Sequence, residues 1–104
     1  MELVLLMYRI TQRFPVEEKY GLASQMRRCV VSISSNIAEG HMRKTNKDFQ
    51  QFLSIARGSC AELETQVLIA EKLCYIPLDD YQQAYAKLEE ISKMLSSLYS
   101  KLTS

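Results

Sequence analysis

Apolar side chains recur along this 104-residue chain at alternating steps of three and four, and no segment shows the step of two that marks a strand. In residues 2 to 14, Leu3, Met7, Ile10 and Phe14 share one face and predict a short first helix. Pro15 interrupts it, and Glu17 and Glu18 follow closely, where acids complement a helix N-terminus. Gly21 allows a bend. Beyond it Leu22, Met26, Cys29, Ile33, Asn36 and Gly40, with Val30 and Ile37 alongside, predict a second helix that stops at Gly40. The polar stretch 41 to 46 reads as a loop with Thr45 or Asn46 as the next N-cap. Phe49, Leu53, Ala56, Cys60, Leu63, Val67, Ala70 and Cys74 then form a heptad seam, and the third helix is expected to end near residues 75 to 77. Asp79 or Asp80 opens the last helix, whose seam is Tyr81, Ala84, Leu88, Ile91, Leu95, Leu98 and Leu102.

Four amphipathic helices on short connections predict an all-α fold, an antiparallel up-and-down four-helix bundle with a shortened first helix, as one domain over residues 1–104. Three glycines, two prolines and no tryptophan leave too few turn residues for a many-stranded sandwich or barrel. Thirty residues of helix reach about 45 Å, whereas the first helix covers only about 20 Å of that. Either the long helices protrude or a neighbouring subunit buries what the first helix leaves bare, so self-association is expected.

The start of the chain carries an acid at Glu2 where a signal peptide wants a base, and no stretch reaches the roughly 18 apolar residues of a membrane span. Three cysteines without a CxxC pair speak against a disulfide framework and a zinc knuckle. A cytoplasmic protein with no membrane partner is the expectation.

Candidate chemistry is sparse. A di-metal carboxylate bundle needs Glu-x-x-His pairs, but the one histidine, His41, has Ala38 three residues before it. Glu62 and Glu64 are two apart and do not share a helix face. No phosphate-cradling glycine loop or nucleophile set is present, so no catalytic residue, metal or cofactor is expected. An enzyme built on Glu39, Glu62 and Glu64 is the least favoured reading. Each cysteine falls on an apolar stripe and reads as a small core residue.

Polar residues at seam positions carry more information. Asn36 lies on the seam of the second helix, where a buried amide sets register or oligomer state. Gly58 interrupts the third helix at a cost of roughly 1 kcal/mol against alanine, which suggests a close approach by another group. Around it stand Arg57, Ser59, Glu62, Glu64, Thr65 and Gln66. These predict a polar network between the second and third helices, with Arg57 paired to Glu39 or Glu62; the alternative is a solvated face with an incidental glycine.

Net charge is +1, but its distribution is uneven. Residues 21 to 60 carry six bases, Arg27, Arg28, Arg43, Lys44, Lys47 and Arg57, against two acids, and residues 61 to 104 carry four bases against seven acids. Arg43, Lys44 and Lys47 would gather at one helix end as a basic rim, with Arg27 and Arg28 as further candidate phosphate contacts.

The strings Phe14-Pro15-Val16-Glu17-Glu18-Lys19-Tyr20-Gly21-Leu22, Ser24-Gln25-Met26-Arg27-Arg28, Ser32-Ile33-Ser34-Ser35-Asn36-Ile37-Ala38-Glu39-Gly40 and Phe52-Leu53-Ser54-Ile55-Ala56-Arg57-Gly58-Ser59, with Glu62-Leu63-Glu64-Thr65-Gln66, are distinctive. The chain resembles, over residues 3 to about 100, the bacterial four-helix bundle proteins encoded by intervening sequences of 23S ribosomal RNA genes, a family that includes the accessory proteins of diversity-generating retroelements. That resemblance implies a homopentamer without catalytic activity and, from the retroelement branch, RNA or a reverse transcriptase as partner. Relatives begin their first helix one or more turns before the position of Met1, which implies a truncated start here, and commonly have proline where this chain has Ser34. The function expected is a non-enzymatic oligomeric scaffold that meets RNA or a nucleic-acid-processing protein through a basic rim. Its alternative is a protein-interaction module with no nucleic-acid role.

Overall fold

A computed structural model describes residues 2–103. Four helices follow one another in the chain, α1 (Glu2–Thr11), α2 (Leu22–His41), α3 (Asn46–Lys72) and α4 (Leu78–Thr103), with a 3-10 turn at Val16–Glu18 between the first two. They form an antiparallel up-and-down bundle of 45 × 23 × 18 Å. Each helix packs on two neighbours: α1 and α3 both lie against α2 and α4, and stand at opposite corners. Helix lengths are unequal. At 1.5 Å per residue, α1 spans about 15 Å and α3 about 40 Å, so one corner of the bundle is only partly filled.

The predicted stripes meet in one core. Leu3, Met7 and Ile10 of α1, Met26, Val30 and Ile33 of α2, Leu53, Cys60, Leu63 and Val67 of α3, and Leu88 of α4 are fully buried. Such side chains each contribute roughly 1.5–3 kcal/mol relative to exposure, and they touch across all four elements.

Helix ends differ from expectation at α1, α3 and α4, and by one residue at the end of α2. α1 stops at Thr11 instead of continuing to residue 14, because Pro15 disfavours helical geometry in the residue before it. The chain unwinds through N–H bonds from Arg13 to the Ile10 carbonyl and from Phe14 to the Thr11 carbonyl, yet Phe14 stays buried against the Tyr75 ring at 5.3 Å. α3 stops at Lys72, short of residues 75 to 77. Cys74 takes a left-handed φ of 61°, its N–H donates to the Glu71 carbonyl and the Tyr75 N–H to that of Ala70, the paired bonds of a Schellman stop built without glycine. Cys74 is therefore exposed and is not the core residue its stripe position suggests. α4 opens at Leu78, one residue before Asp79, with Asp79 and Asp80 both in its first turn.

The cap expected at Thr45 or Asn46 falls on Thr45. Thr45 Oγ1 accepts the Asp48 N–H at 3.1 Å and caps α3. Glu18 serves α2, its carboxylate accepting the Leu22 N–H at 3.2 Å and the Tyr75 hydroxyl at 2.9 Å, which ties the first connection to the last.

The glycines exchange roles. α2 runs one residue past Gly40, which is buried inside the helix rather than stopping it. A Cβ at Gly40 would meet the Phe49 ring at 2.7 Å and Phe52 Cβ at 3.1 Å, so this is where α2 and α3 need a bare backbone. At Gly58 a Cβ would meet nothing within 4 Å, so the close approach expected there is absent within the chain. Gly40→Ala should destabilise the fold by about 1–3 kcal/mol through overpacking. Gly58→Ala should stabilise it by roughly 0.5–1 kcal/mol through helix propensity. Urea unfolding of both variants reads the opposite signs.

Candidate functional site

Facing sides of α2 and α3 build a polar groove. On α2 the side chains of Gln25, Arg28, Cys29 and Ser32 succeed one another by three, one and three, with Asn36 four further on. On α3, Ser59, Glu62 and Gln66 do the same. Ser32 and Ser59 share a hydroxyl hydrogen bond at 3.0 Å across the groove. The Cys29 thiol donates to the Ser59 carbonyl at 3.0 Å and lies 3.6 Å from the Glu62 carboxylate. Asn36 turns back along its own helix, its amide donating to the Ser32 carbonyl at 2.8 Å and to the Ser32 hydroxyl at 3.1 Å. Its link to α3 therefore runs through Ser32, whose spacing from Cys29 and Asn36 was the legible signal that the sequence reading left out.

Of the residues expected in a polar network, the fold brings Asn36, Ser59, Glu62 and Gln66 together along this groove and places Glu39, Arg57, Gly58 and Glu64 elsewhere. Glu39 forms an i, i+4 ion pair with Arg43 at the end of α2. Arg57 lies over the Tyr99 ring, 5.6 Å from its centroid, so its cation holds α4 and is paired with neither Glu39 nor Glu62. Gly58 faces open space, and Glu64 acts on Cys60. Gln66 is buried, and its Oε1 accepts no hydrogen bond.

The groove's thiol is quiet. Burial first, and then the Glu62 carboxylate, push Cys29 up to about 12, and burial with Glu64 pushes Cys60 up to about 11. A thiol held in this way is not a nucleophile near neutral pH. Among the described residues no three His, Cys, Asp or Glu side chains converge as ligands for a metal. His41 packs its ring on Phe49 at 4.7 Å.

The five candidate phosphate contacts fall at two separate places. Arg43, Lys44 and Lys47 surround the α2–α3 turn and are exposed, with Arg43 engaged by Glu39 and by the Phe52 face at 5.1 Å. Arg27 and Arg28 sit toward the opposite end of α2. Arg27 Nε donates to Thr11 Oγ1 at 2.8 Å, and its guanidinium covers the Tyr8 ring at 4.6 Å. It thereby closes the C-terminal end of α1, where a cation is favoured.

A larger apolar groove of about 620 Å³ lies beyond the start of α1. Ile37, Ala38 and His41 of α2 face Ile91, Met94 and Leu98 of α4 across it, and Leu3 closes one end. Since α2 and α4 occupy opposite corners, this groove is the continuation of the corner that α1 fills. Glu2 and Lys87 pair at 2.9 Å on its rim.

Comparison with known proteins agrees with this architecture. The family described as 23S rRNA-intervening sequence protein matches residues 1–97, and the chain belongs to that family. A solved structure of a protein with unknown function from the S23 ribosomal protein family of Bacteroides thetaiotaomicron VPI-5482 is similar, with a TM-score of 0.87 and 23% identity over 94% of this chain and 92% of that one. At that identity the likeness shows a shared fold. No curated protein matches the chain.

At pH 8 a thiol reagent should label the exposed Cys74 at once, and Cys29 and Cys60 only at the rate of unfolding. Because the folded Cys29 holds its proton more tightly than the unfolded one, its contribution to stability is full below pH 9.0 and is lost as the pH rises toward about 12. The urea midpoint of Cys29→Ala should fall less steeply over that interval than that of the parent chain.

Proposed function

We propose that this member of the 23S rRNA-intervening sequence protein family is a non-catalytic, self-associating helical scaffold that contacts RNA, or an RNA-bound processing enzyme, in the cytoplasm. A reverse transcriptase is the enzyme that the retroelement branch of the resemblance suggests. The observation that carries the reading is the concentration of cations in residues 21 to 60, along α2 and around its following turn, set against the acidic excess of residues 61 to 104. Arg43, Lys44 and Lys47 project at one end of the bundle, and in the pentamer suggested by the resemblance they would repeat around a ring. Each phosphate they neutralise releases counterions, so binding would be strong at low salt and fall steeply as salt rises. Among the described residues no helix is long and apolar enough to cross a membrane, which suits a partner met in water.

Measured by anisotropy on a structured RNA across a salt series, Arg43→Ala, Lys44→Ala and Lys47→Ala combined should lower the slope of log K against log salt by about two, since Arg43 is already shared with Glu39. Absence of binding at low salt, or an unchanged slope, overturns the reading.

A second reading, a protein-interaction module without nucleic acid, is favoured by the apolar groove beyond α1. Its occupant would be a helix from a second copy of the chain, laid in line with α1 between α2 and α4. Met94 is 63% exposed at the groove's centre and contributes little to the single chain's core. Met94→Glu should dissociate the oligomer by light scattering while leaving the far-UV circular dichroism unchanged; an unaltered mass would remove the groove from the assembly.

A further inference from the structure

Toward the other end of α1, Tyr8 of its last turn, the two residues that follow the 3-10 turn and the first half of α2 line a depression of about 510 Å³. Tyr8, Lys19, Tyr20, Arg27 and Arg28 line it with Ser24 and Val31, and no carboxylate is among them. Three cations thus gather around two phenol rings. Glu18, which precedes Lys19 in the chain, has both carboxylate oxygens engaged elsewhere, one by the Leu22 N–H and the other by the Tyr75 hydroxyl.

The two rings differ in what they do for the fold. Tyr8 is held, one face under the Arg27 guanidinium at 4.6 Å, while Arg27 Nη2 reaches the Tyr8 carbonyl at 3.4 Å. Tyr20 is 86% exposed and joins no part of the core, and the Lys19 ammonium stands 5.6 Å from its ring centroid. A ring of this size left in water beside cations on a turn is a stacking surface without a stack. Phosphate alone would need only the cations, and a hydrophobic partner would be repelled by them. An unpaired nucleotide satisfies both, its base on the ring and its phosphate between the bases of the protein.

We infer that this depression is a subsite for an unpaired nucleotide of RNA, with the base stacked on Tyr20 and the adjoining phosphate held by Lys19 and Arg28. Arg27 is a positioning residue here, since it fixes Tyr8 as the wall and is already spent on α1. The inference rests on the RNA-binding reading above but assigns a different place, about 20 Å along α2 from the turn that carries Arg43. It also adds a selectivity that phosphate contacts do not have, because a base inside a duplex cannot reach the ring.

The experiment compares two RNAs on the full chain at low salt by anisotropy, a single-stranded uridine decamer and a perfectly paired hairpin stem of ten base pairs. Tyr20→Ala should weaken the decamer about tenfold and leave the hairpin unchanged, and Tyr20→Phe should restore decamer binding. Lys19→Ala and Arg28→Ala should weaken both probes and each lower the salt slope by about one. The parent chain has no tryptophan, so its tyrosine emission reports stacking directly and should be quenched by the decamer and less so in Tyr20→Ala. If the hairpin binds through Arg43, Lys44 and Lys47 while Tyr20→Ala changes neither probe, the subsite is wrong and RNA binding stands. If neither probe binds, both fall.

Discussion

The close approach of α2 to α3 is the constraint on which the rest of the structure depends. It is made possible by small side chains at the contact: Gly40 under Phe49 and Phe52, Cys29 and Ser32 against Ser59, and Ala56 and Cys60 in the core. Small residues bring two backbones together, and at that range a thiol reaches a main-chain carbonyl and two hydroxyls reach each other. The hydrogen bonds individually contribute about 1 kcal/mol, and because their half-buried groups meet in only one alignment they favour one register of α2 on α3. With that hairpin set, α3 presents its other face to α4, and Arg57 over Tyr99 and Gln50 to the Tyr99 carbonyl at 3.1 Å hold the second hairpin in place.

α1 is an addition to this frame, and its ten residues are too few to be stable as an isolated helix. Burial of Leu3, Leu6, Met7 and Ile10 supplies most of what it lacks. Two polar ties complete the attachment, Arg27 to Thr11 at the C-terminal end and Lys87 to Glu2 at the other. The Glu2 pairing is exposed and worth little by itself. Two surfaces adjoin α1, the apolar groove past Leu3 and the cationic depression beside Tyr8.

How far these features were legible follows from their range along the chain. Helix identity, the seams and the Thr45 cap depend on neighbours three or four residues away and were readable from spacing. So was the α3 side of the polar groove, because Ser59, Glu62 and Gln66 repeat at helical intervals, whereas Gln25, Cys29 and Ser32 on its α2 side were not read as part of it. Arg57 and Glu39 were joined on charge alone, and the fold gave each a nearer partner, Tyr99 and Arg43 respectively. The contacts of Arg27 with Tyr8 and Thr11 span 16 to 19 residues and cross an irregular connection, so no period in the sequence announces them. The end of α3 was misplaced because the Schellman stop uses Cys74 where glycine is usual, which hid the signal in a residue that fitted the seam.

The charge map takes its meaning from the same geometry. A sum over residues 21 to 60 treats six bases as one basic segment, yet the fold sets Arg27 and Arg28 toward one end of α2 and Arg43, Lys44 and Lys47 around the turn at the other, and three of the six are committed to protein partners. Arg27 holds α1, Arg57 holds α4, and Arg43 is paired with Glu39. Lys44 and Lys47 stand exposed at one end, whereas Lys19 and Arg28 at the other share a depression with the Tyr8 and Tyr20 rings. Two weak, separated cationic places on a rigid rod are poor binders singly. Repeated by symmetry in the proposed assembly they would act together, since linked sites raise the effective concentration of each for a continuous chain of phosphates. The proposed self-association and the proposed nucleic-acid binding would therefore be coupled: an assembly of the same chain would gain affinity that its single copies, with so modest a net charge, lack, and would do so without any new contact.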